Sequence, residues 1–372
     1  MAPDIVIIGG GVAGLSAAAA LADEARVAVL EAEEQVGFHS SGRSATMVHY
    51  ALGDRVVRAL TSASRNFFEA PPDDFSDAPL GQRMPVLVHA RTNELTALDA
   101  LQAAIAGFAE LERVGEKEMA ELCPILRLGE GGAVAGLADH NGIRLDTHAL
   151  LQSYLRRLRS RGGSLVAGAR TAAIMREHGS WTVETERGER YSAPILVNAA
   201  GAWADSVATM AGVRPVGLRP LRRTIITFDA PRGYDVSRLP FTKTVGDELY
   251  FAPESGRLFA SPMDEVPTDP CDAQPEDYDV ALAAWRMEER TTIKVERIHS
   301  RWAGLRTFAP DRRPVAGFAA DAQDFFWLAG QGGFGLQTSP AMAQIAAVLI
   351  AGKEWPVGSV NPDELSPARF LE

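Results

Sequence analysis

The junction at which Ile5-Val6-Ile7-Ile8 runs into Gly9-Gly10-Gly11-Val12-Ala13-Gly14 restricts this chain more than any other segment. An unbroken apolar tetrad rich in β-branched residues is the pattern of a strand buried on both faces of a parallel sheet. The alanine-rich stretch Leu15 to Ala22 reads as a helix whose small side chains can lie close to that sheet, and Val27 to Leu30 as the next strand of a βαβ unit. The spacing Gly9-x-Gly11-x-x-Gly14 places a tight turn and a bare backbone at the helix start, where amide donors and the helix dipole favour a pyrophosphate. Glu31, 22 residues after Gly9, ends the second strand, where a carboxylate accepts from ribose hydroxyls. A glycine triplet alone is a weak signal; with strand, helix and acid in register it is specific for a dinucleotide. It does not choose between NAD and FAD.

At 372 residues the chain exceeds what one compact core usually spans, which predicts two domains or a discontinuous pair. Lys and Arg total 37 against 48 Asp and Glu, a net charge of −11 that argues against a broad nucleic-acid surface. Cys123 and Cys271 lie far apart, form no metal-like pair, and fit a reducing, cytoplasmic setting. The most apolar late run, Ala341 to Gly352, is broken by Gln344 and is about half the ~20 residues a membrane span needs. No basic stretch of a secretion signal precedes Ile5. The expectation is a soluble, cytoplasmic protein without a transmembrane segment or a metal site.

From Leu52 to His140 helical stretches (Val56 to Phe68, Thr92 to Ala109, Glu116 to Cys123) surround one strand, Met84 to His89. Asp146 to Arg161 reads as a helix capped by Asp146 or Thr147, with Leu150, Leu151, Tyr154, Leu155 and Leu158 on one side. Ser164 to Ala167, Trp181 to Glu184 and Pro194 to Asn198 are further strands, the last ending in Ala199-Ala200-Gly201. Arg222 to Phe228, Glu248 to Phe251 and Arg257 to Phe259 alternate as strands of an antiparallel sheet do. Met263 to Val280 carries seven acids with Pro267, Pro270 and Pro275, and reads as a solvated surface loop. Residues 1–48, 141–212 and 300–372 are expected to build a nucleotide domain, and 49–140 and 213–299 an inserted substrate domain.

Three segments separate the two dinucleotides. Glu31-Ala-Glu-Glu-Gln-Val-Gly37-Phe-His-Ser-Ser41-Gly42-Arg43-Ser44 resembles the loop beneath the flavin pyrophosphate in the D-amino acid oxidase and glycine oxidase superfamily. Leu196-Val-Asn-Ala-Ala-Gly201-Ala-Trp203-Ala-Asp205 is similar to that superfamily's second strand and turn at the FAD. Gly330-Gln-Gly-Gly-Phe-Gly-Leu-Gln337-Thr338 resembles its C-terminal loop and helix start, which points at the flavin N1–C2=O edge. The blocks cover essentially the whole chain, and within the superfamily they most resemble bacterial D-arginine dehydrogenase and related D-amino acid dehydrogenases.

The resemblance implies an α/β fold, with an FAD-binding Rossmann-like domain and an inserted α+β substrate domain built on an antiparallel sheet. The cofactor contacts it implies are Gly9, Gly11, Val12, Ala13, Gly14, Glu31 and Ala32; Ser41, Gly42, Arg43, Ser44, Thr46 and Met47; and Thr171, Ala200, Gly201 and Trp203. Arg306, Gly332, Gly333, Phe334, Gly335, Leu336, Gln337 and Thr338 complete them. Amides of Gly333 to Leu336 at a helix start would stabilise negative charge on reduced flavin, as an oxyanion site does. Non-covalent FAD is expected, since neither cysteine falls at a flavin-linking position and linkage through His39 or His49 is disfavoured.

A substrate carboxylate needs a fixed cation, and the planar fork of arginine bonds it bidentately. Arg223 and Arg306 match the family positions that do this, and Tyr250 matches a tyrosine that touches the carboxylate or covers the flavin; Tyr50 and Gly333 complete the expected substrate contacts. Tyr250 and His49 are the candidates for handling the amine proton. Arg222 belongs on the opposite face of its strand by period-two alternation. The resemblance departs at Met47, which stands at the family histidine, and at Leu52, at its lid tyrosine. It departs again in Pro79-Leu-Gly-Gln-Arg-Met-Pro85-Val-Leu-Val, which has no acid to pair a cationic substrate side chain.

The implied reaction is oxidative deamination of a neutral or apolar D-amino acid, by hydride transfer from Cα to flavin N5, giving an imino acid, then a 2-oxo acid and ammonia. A glycine, sarcosine or N-methyl amino acid oxidase, or a 2-hydroxy acid dehydrogenase, stays open because each substrate has a carboxylate. A flavin module of a tRNA-modifying enzyme conflicts with the net charge, and an NAD dehydrogenase would use only the first fingerprint. The electron acceptor (oxygen, a quinone or another) is not fixed by the sequence. The purified protein is expected to be yellow; a protein that stays colourless after FAD is supplied overturns the cofactor reading.

Overall fold

The computed structural model describes residues 2–230 and 235–371. Ile5–Ile8, buried at all four positions, lies inside a six-stranded sheet. The order across it is Val315–Phe318, Phe325–Ala329, Ile195–Asn198, Ile5–Ile8, Val27–Leu30 and Ser164–Val166. All neighbours run parallel except Val315–Phe318, which is antiparallel at one edge. Ile5 and Ile7 face one core with the helices Val12–Leu21, Thr147–Ser160 and Gly335–Ile350. Val6 and Ile8 face the other, closed by the antiparallel strands Thr171–Glu177, Ser180–Thr185 and Arg190–Ala193 and the helix Ala204–Met210. With both faces covered, each strand is a continuous apolar run. Gly14 allows the Val12–Leu21 helix its close approach, because a Cβ there would overlap the Gly9 carbonyl oxygen.

A ten-stranded sheet forms the second body of structure. Its order is Gln331–Gly332, Ile298–Phe308, Arg219–Asp229, Arg257–Ser261, Tyr250–Glu254, Phe241–Thr244, Val86–Ala90, Ala135–Asp139 and Glu112–Val114, with Val266–Pro267 added beside Arg219–Asp229. Only the contact between Phe241–Thr244 and Val86–Ala90 is parallel. The helix Asp277–Arg290 covers one face, over Phe228, Phe251 and Leu258. Leu221 lies opposite Arg306 and Arg223 opposite Gly304, so the two arginines share the other face. Arg222 points the opposite way, as expected.

The acidic stretch is more than a solvated loop. Val266–Pro267 pairs with Leu221 and Arg222. The Asp264 side chain is 4% exposed and accepts from Thr224 N at 2.8 Å and Thr224 Oγ1 at 3.0 Å. Asp279, in the first turn of the Asp277–Arg290 helix, accepts from Arg222 Nη2 at 2.9 Å, with both side chains buried. Density of charge suggested water as the partner, whereas these acids answer buried donors. The stretch Thr92 to Ala109 also divides, into a 3-10 turn at Thr92–Glu94 and the helix Leu95–Ile105. Among the described residues no helix is long and apolar enough to cross a membrane. Asp279→Ala strands the Arg222 guanidinium with only the exposed Glu276, and is expected to cost about 3 kcal/mol in urea unfolding. A loss below about 0.5 kcal/mol would return this segment to a solvated face.

Candidate active site

The carboxyl ends of Ile5–Ile8, Val27–Leu30 and Ile195–Asn198 open onto a cavity of about 2040 Å³, its mouth included, whose far wall is the ten-stranded sheet. Two helix N-termini face it. Gly11 precedes Val12–Leu21 and Phe334 precedes Gly335–Ile350, and neither supplies a side-chain cap. Val12 N donates to Ser41 Oγ at 3.0 Å. Two uncapped positive helix ends on one cavity suit an anionic ligand with two separate acceptor regions. Beside the first, Glu31 accepts from Gly10 N at 2.6 Å and Glu33 N at 2.9 Å. Burial nevertheless raises its carboxyl pKa above the ordinary value. His39, bonded to Glu33 at 3.1 Å, lies 4.6 Å from the Trp203 ring, and both line the wall.

The opposite end is cationic. The Arg306 guanidinium occupies the space that a Cβ on Gly333 would take, with the Phe308 and Phe334 rings 5.4 and 5.9 Å away. Burial, reinforced by nearby Arg223, lowers its pKa to about 9. Glu265 Oε1 lies 3.4 Å from Arg306, 3.3 Å from Arg223 and 2.8 Å from Arg312. With Asp264 Oδ1 4.0 Å from Arg223 Nε, two carboxylates stand against three guanidiniums, and the remaining positive charge favours an anion at this end. Tyr250 lines the same wall. His49 Nδ1 accepts from Ala51 N at 3.3 Å, a geometry that assigns its proton to Nε2. Burial first, and the Lys243 ammonium second, push the imidazole pKa down to about 3, so it is neutral near pH 7.

Most residues expected at the site do line the cavity: Gly9, Gly11, Val12, Ala13, Glu31, Ala32, Ser41, Arg43, Ser44, Thr46, Met47, His49, Thr171, Ala200, Gly201, Trp203, Arg223, Tyr250, Arg306, Gly332, Gly333, Gly335, Leu336 and Gln337. Five are not on the wall. Tyr50 turns into the core, 3% exposed, with its ring 6.4 Å from Phe108; Leu52 faces the cavity instead. Phe334 packs on Phe308 at 5.9 Å. Thr338 is buried, its hydroxyl donating to the Phe334 carbonyl at 2.9 Å. Gly14 and Gly42 support their loops from behind, each against a carbonyl oxygen (of Gly9 and Gly37). Ile225, Phe241, Lys243, Met263 and Gln331 also line the wall and were not anticipated. Phe241 and Lys243 are two apart on one strand, so strand periodicity would have put them on one face; the lysine beside apolar neighbours was the signal.

Fold and site together define an FAD-dependent oxidoreductase. A family model described as DAO, FAD dependent oxidoreductase, matches residues 4–349, and the chain belongs to that family, with FAD as its cofactor. It is 26% identical over 242 residues to hydrogen cyanide synthase subunit HcnC of Pseudomonas aeruginosa, covering 64% of this chain and 55% of that one. It is 27% identical over 220 residues to L-2-hydroxyglutarate dehydrogenase of Escherichia coli K12, covering 57% and 50%. The chain thus spans about half the length of these relatives. The L-proline dehydrogenase structure from P. horikoshii superposes with a TM-score of 0.86 at 21% identity, over 100% of this chain and 98% of that one. Iminodiacetate oxidase from Chelativorans sp. BNC1 gives 0.81 at 20%, over 98% of each. At such identity these two structures establish the fold.

His89, on Val86–Ala90, is also buried, neither ring nitrogen has a partner among the described residues, and burial pushes its pKa to about 3. Unfolded imidazoles take up protons below about pH 6.5, folded ones only near pH 3, so the unfolded state binds more protons between those limits. Stability therefore falls as pH drops through that window, by about 1.4 kcal/mol per pH unit for each histidine. Urea midpoints at pH 7, 6 and 5 should fall more steeply for the parent than for His49→Gln; parallel curves would place His49 in solvent.

Proposed function

We propose that this chain catalyses FAD-dependent oxidation of the CH–NH2 group of a free amino acid, D-configured and with a side chain that carries no positive charge. The observation that carries this reading is the Arg223–Arg306 pair on adjacent strands, at the end of the cavity away from the glycine loop. The residues present fit FAD. Amides of Gly11 to Ala13 would hold the pyrophosphate, Glu31 the ribose, and the uncapped start of Gly335–Ile350 the electron-accepting edge of the ring. When bound, FAD supplies the two-electron acceptor for hydride from Cα, and the imino acid produced hydrolyses to a 2-oxo acid and ammonia.

The chain's own part is binding and orientation. Arg223 and Arg306 clamp the carboxylate bidentately and so fix the position of Cα. Tyr250 stands beside them, and neutral His49, its Nδ1 taken by Ala51 N, holds a proton on Nε2 and so can only donate a hydrogen bond there; the substrate ammonium, which must lose a proton before hydride can leave, releases it to water. Ile225, Phe241 and Met263 line the wall and exclude water from it. Among the described residues the carboxylates on the wall are Glu31 and Glu33, both at the glycine-loop end; a guanidinium or ammonium side chain would be buried unpaired. The D configuration rests on the likeness of the Arg223, Tyr250 and Arg306 motifs to D-amino acid dehydrogenases. The E. coli relative named for L-2-hydroxyglutarate supports a second reading, a 2-hydroxy acid held by the same arginines.

Anaerobic absorbance spectra with paired D- and L-amino acids and 2-hydroxy acids test this. Bleaching by D-amino acids is expected, and bleaching by hydroxy acids alone moves the substrate to the second reading. Arg223→Ala should retain FAD and lose roughly ten- to a hundredfold in kcat/KM, as expected for one charged hydrogen-bond partner. An unchanged value would remove Arg223 from the clamp.

A further inference from the structure

Lys243 lines the cavity and is 1% exposed. Its strand, Phe241–Thr244, is separated from the Arg223 strand by Tyr250–Glu254 and Arg257–Ser261. Three inter-strand steps of about 4.8 Å put the two backbones on the order of 14 Å apart, so the lysine and the arginine reach into the cavity from separate places on one wall. Tyr250 is the cross-strand partner of Lys243, so the two share a face of the sheet. Burying an ammonium is costly, and Phe241 on the same strand shows that an apolar side chain fits this wall. Two of its three protons have acceptors: the Asp247 carboxylate and, at 3.3 Å, the Ala51 carbonyl. Asp247 sits on the hairpin turn with its side chain 57% exposed, so water screens its charge. Burial lowers the ammonium pKa, Asp247 opposes that shift, and Arg223 and Arg306 add to it.

We infer that Lys243 forms a second anion subsite, facing the end of the substrate side chain, and that the preferred substrates are acidic amino acids of about glutamate length. This rests on the reading that Arg223 and Arg306 hold the α-carboxylate. It goes one step past the neutral side chain expected from the sequence, which registered the missing acid near Pro85 and not the added cation. Both terminal charges are then met by fixed donors, while the carbon between them lies along the wall near Tyr250.

The test is anaerobic flavin reduction by the holoenzyme with glutamate, aspartate, leucine and methionine, in both configurations. The acidic substrates should give the highest kcat/KM. Lys243→Met should reduce the ratio of acidic to neutral kcat/KM by roughly ten- to a hundredfold. Asp247→Asn, on an exposed turn whose positive φ suits asparagine, removes the competing carboxylate and should raise that ratio severalfold; it decides the matter if Lys243→Met fails to fold. A parent enzyme that prefers leucine or methionine, or a ratio unmoved in the variants, overturns the subsite and leaves the arginine clamp intact. Failure of every amino acid to bleach the flavin overturns the amino acid reading on which the subsite rests, and with it the subsite.

Discussion

Burial of Arg306 is the constraint around which the site is arranged. A guanidinium withdrawn from water is costly unless space, charge and stacking partners are all supplied. Here Gly333 leaves the space, Glu265 supplies part of the charge, and Phe308 and Phe334 supply the rings. Each contribution comes from a different part of the chain. Gly333 leads into the helix that packs on the parallel sheet, while Arg306 belongs to a long strand of the other sheet. Satisfying one side chain therefore brings the two sheets together and leaves a helix N-terminus aimed into the cavity between them.

The cavity has an electrical direction. Glu31 and Glu33 lie near the glycine loop, Glu33 paired with Arg170 at 2.9 Å, while Arg223, Arg306 and Lys243 line the wall formed by the ten-stranded sheet. On the reading proposed, Glu31 would serve the sugar end of a dinucleotide, whose phosphates backbone amides would meet. On the same reading the cations would meet the substrate's negative charge in a low-dielectric setting, where such contacts are stronger than in water. Neutral His49 adds no further positive charge to this end.

What was legible in the sequence follows from how locally each feature is determined. Ile5–Ile8, its glycine loop and Glu31 are contiguous, and their pattern is written by burial on both faces and by the close approach of helix to strand. Arg223 and Arg306 could be selected because a resemblance placed them; that they share a face depends on the register between two strands about eighty residues apart, which no local pattern carries. Tyr50 was misplaced for the same reason, since its ring packs beside Phe108 in the core while Leu52 reaches the cavity, a difference that no local pattern carries. The acids of Met263 to Val280 misled because composition reports charge and not its partners: Asp264 and Asp279 are matched to buried donors on a distant strand. Lys243 escaped notice because its meaning lies in the wall it shares with Tyr250 and His49.

The threading of the parallel sheet has a consequence for how such a chain matures. Ile5 pairs on one side with Val27 and on the other with Ile195, and Leu196 in turn with Phe325, so one edge of the first strand leaves the ribosome long before its neighbour exists. Until that neighbour is made, an apolar strand edge stays open to wrong partners. FAD can bind only after that assembly, and it then favours the finished form by mass action, adding about 1.4 kcal/mol for every tenfold of free cofactor above its dissociation constant. The flavin supply of a cell thus acts on how much of this protein stays assembled, and not only on how fast it turns over.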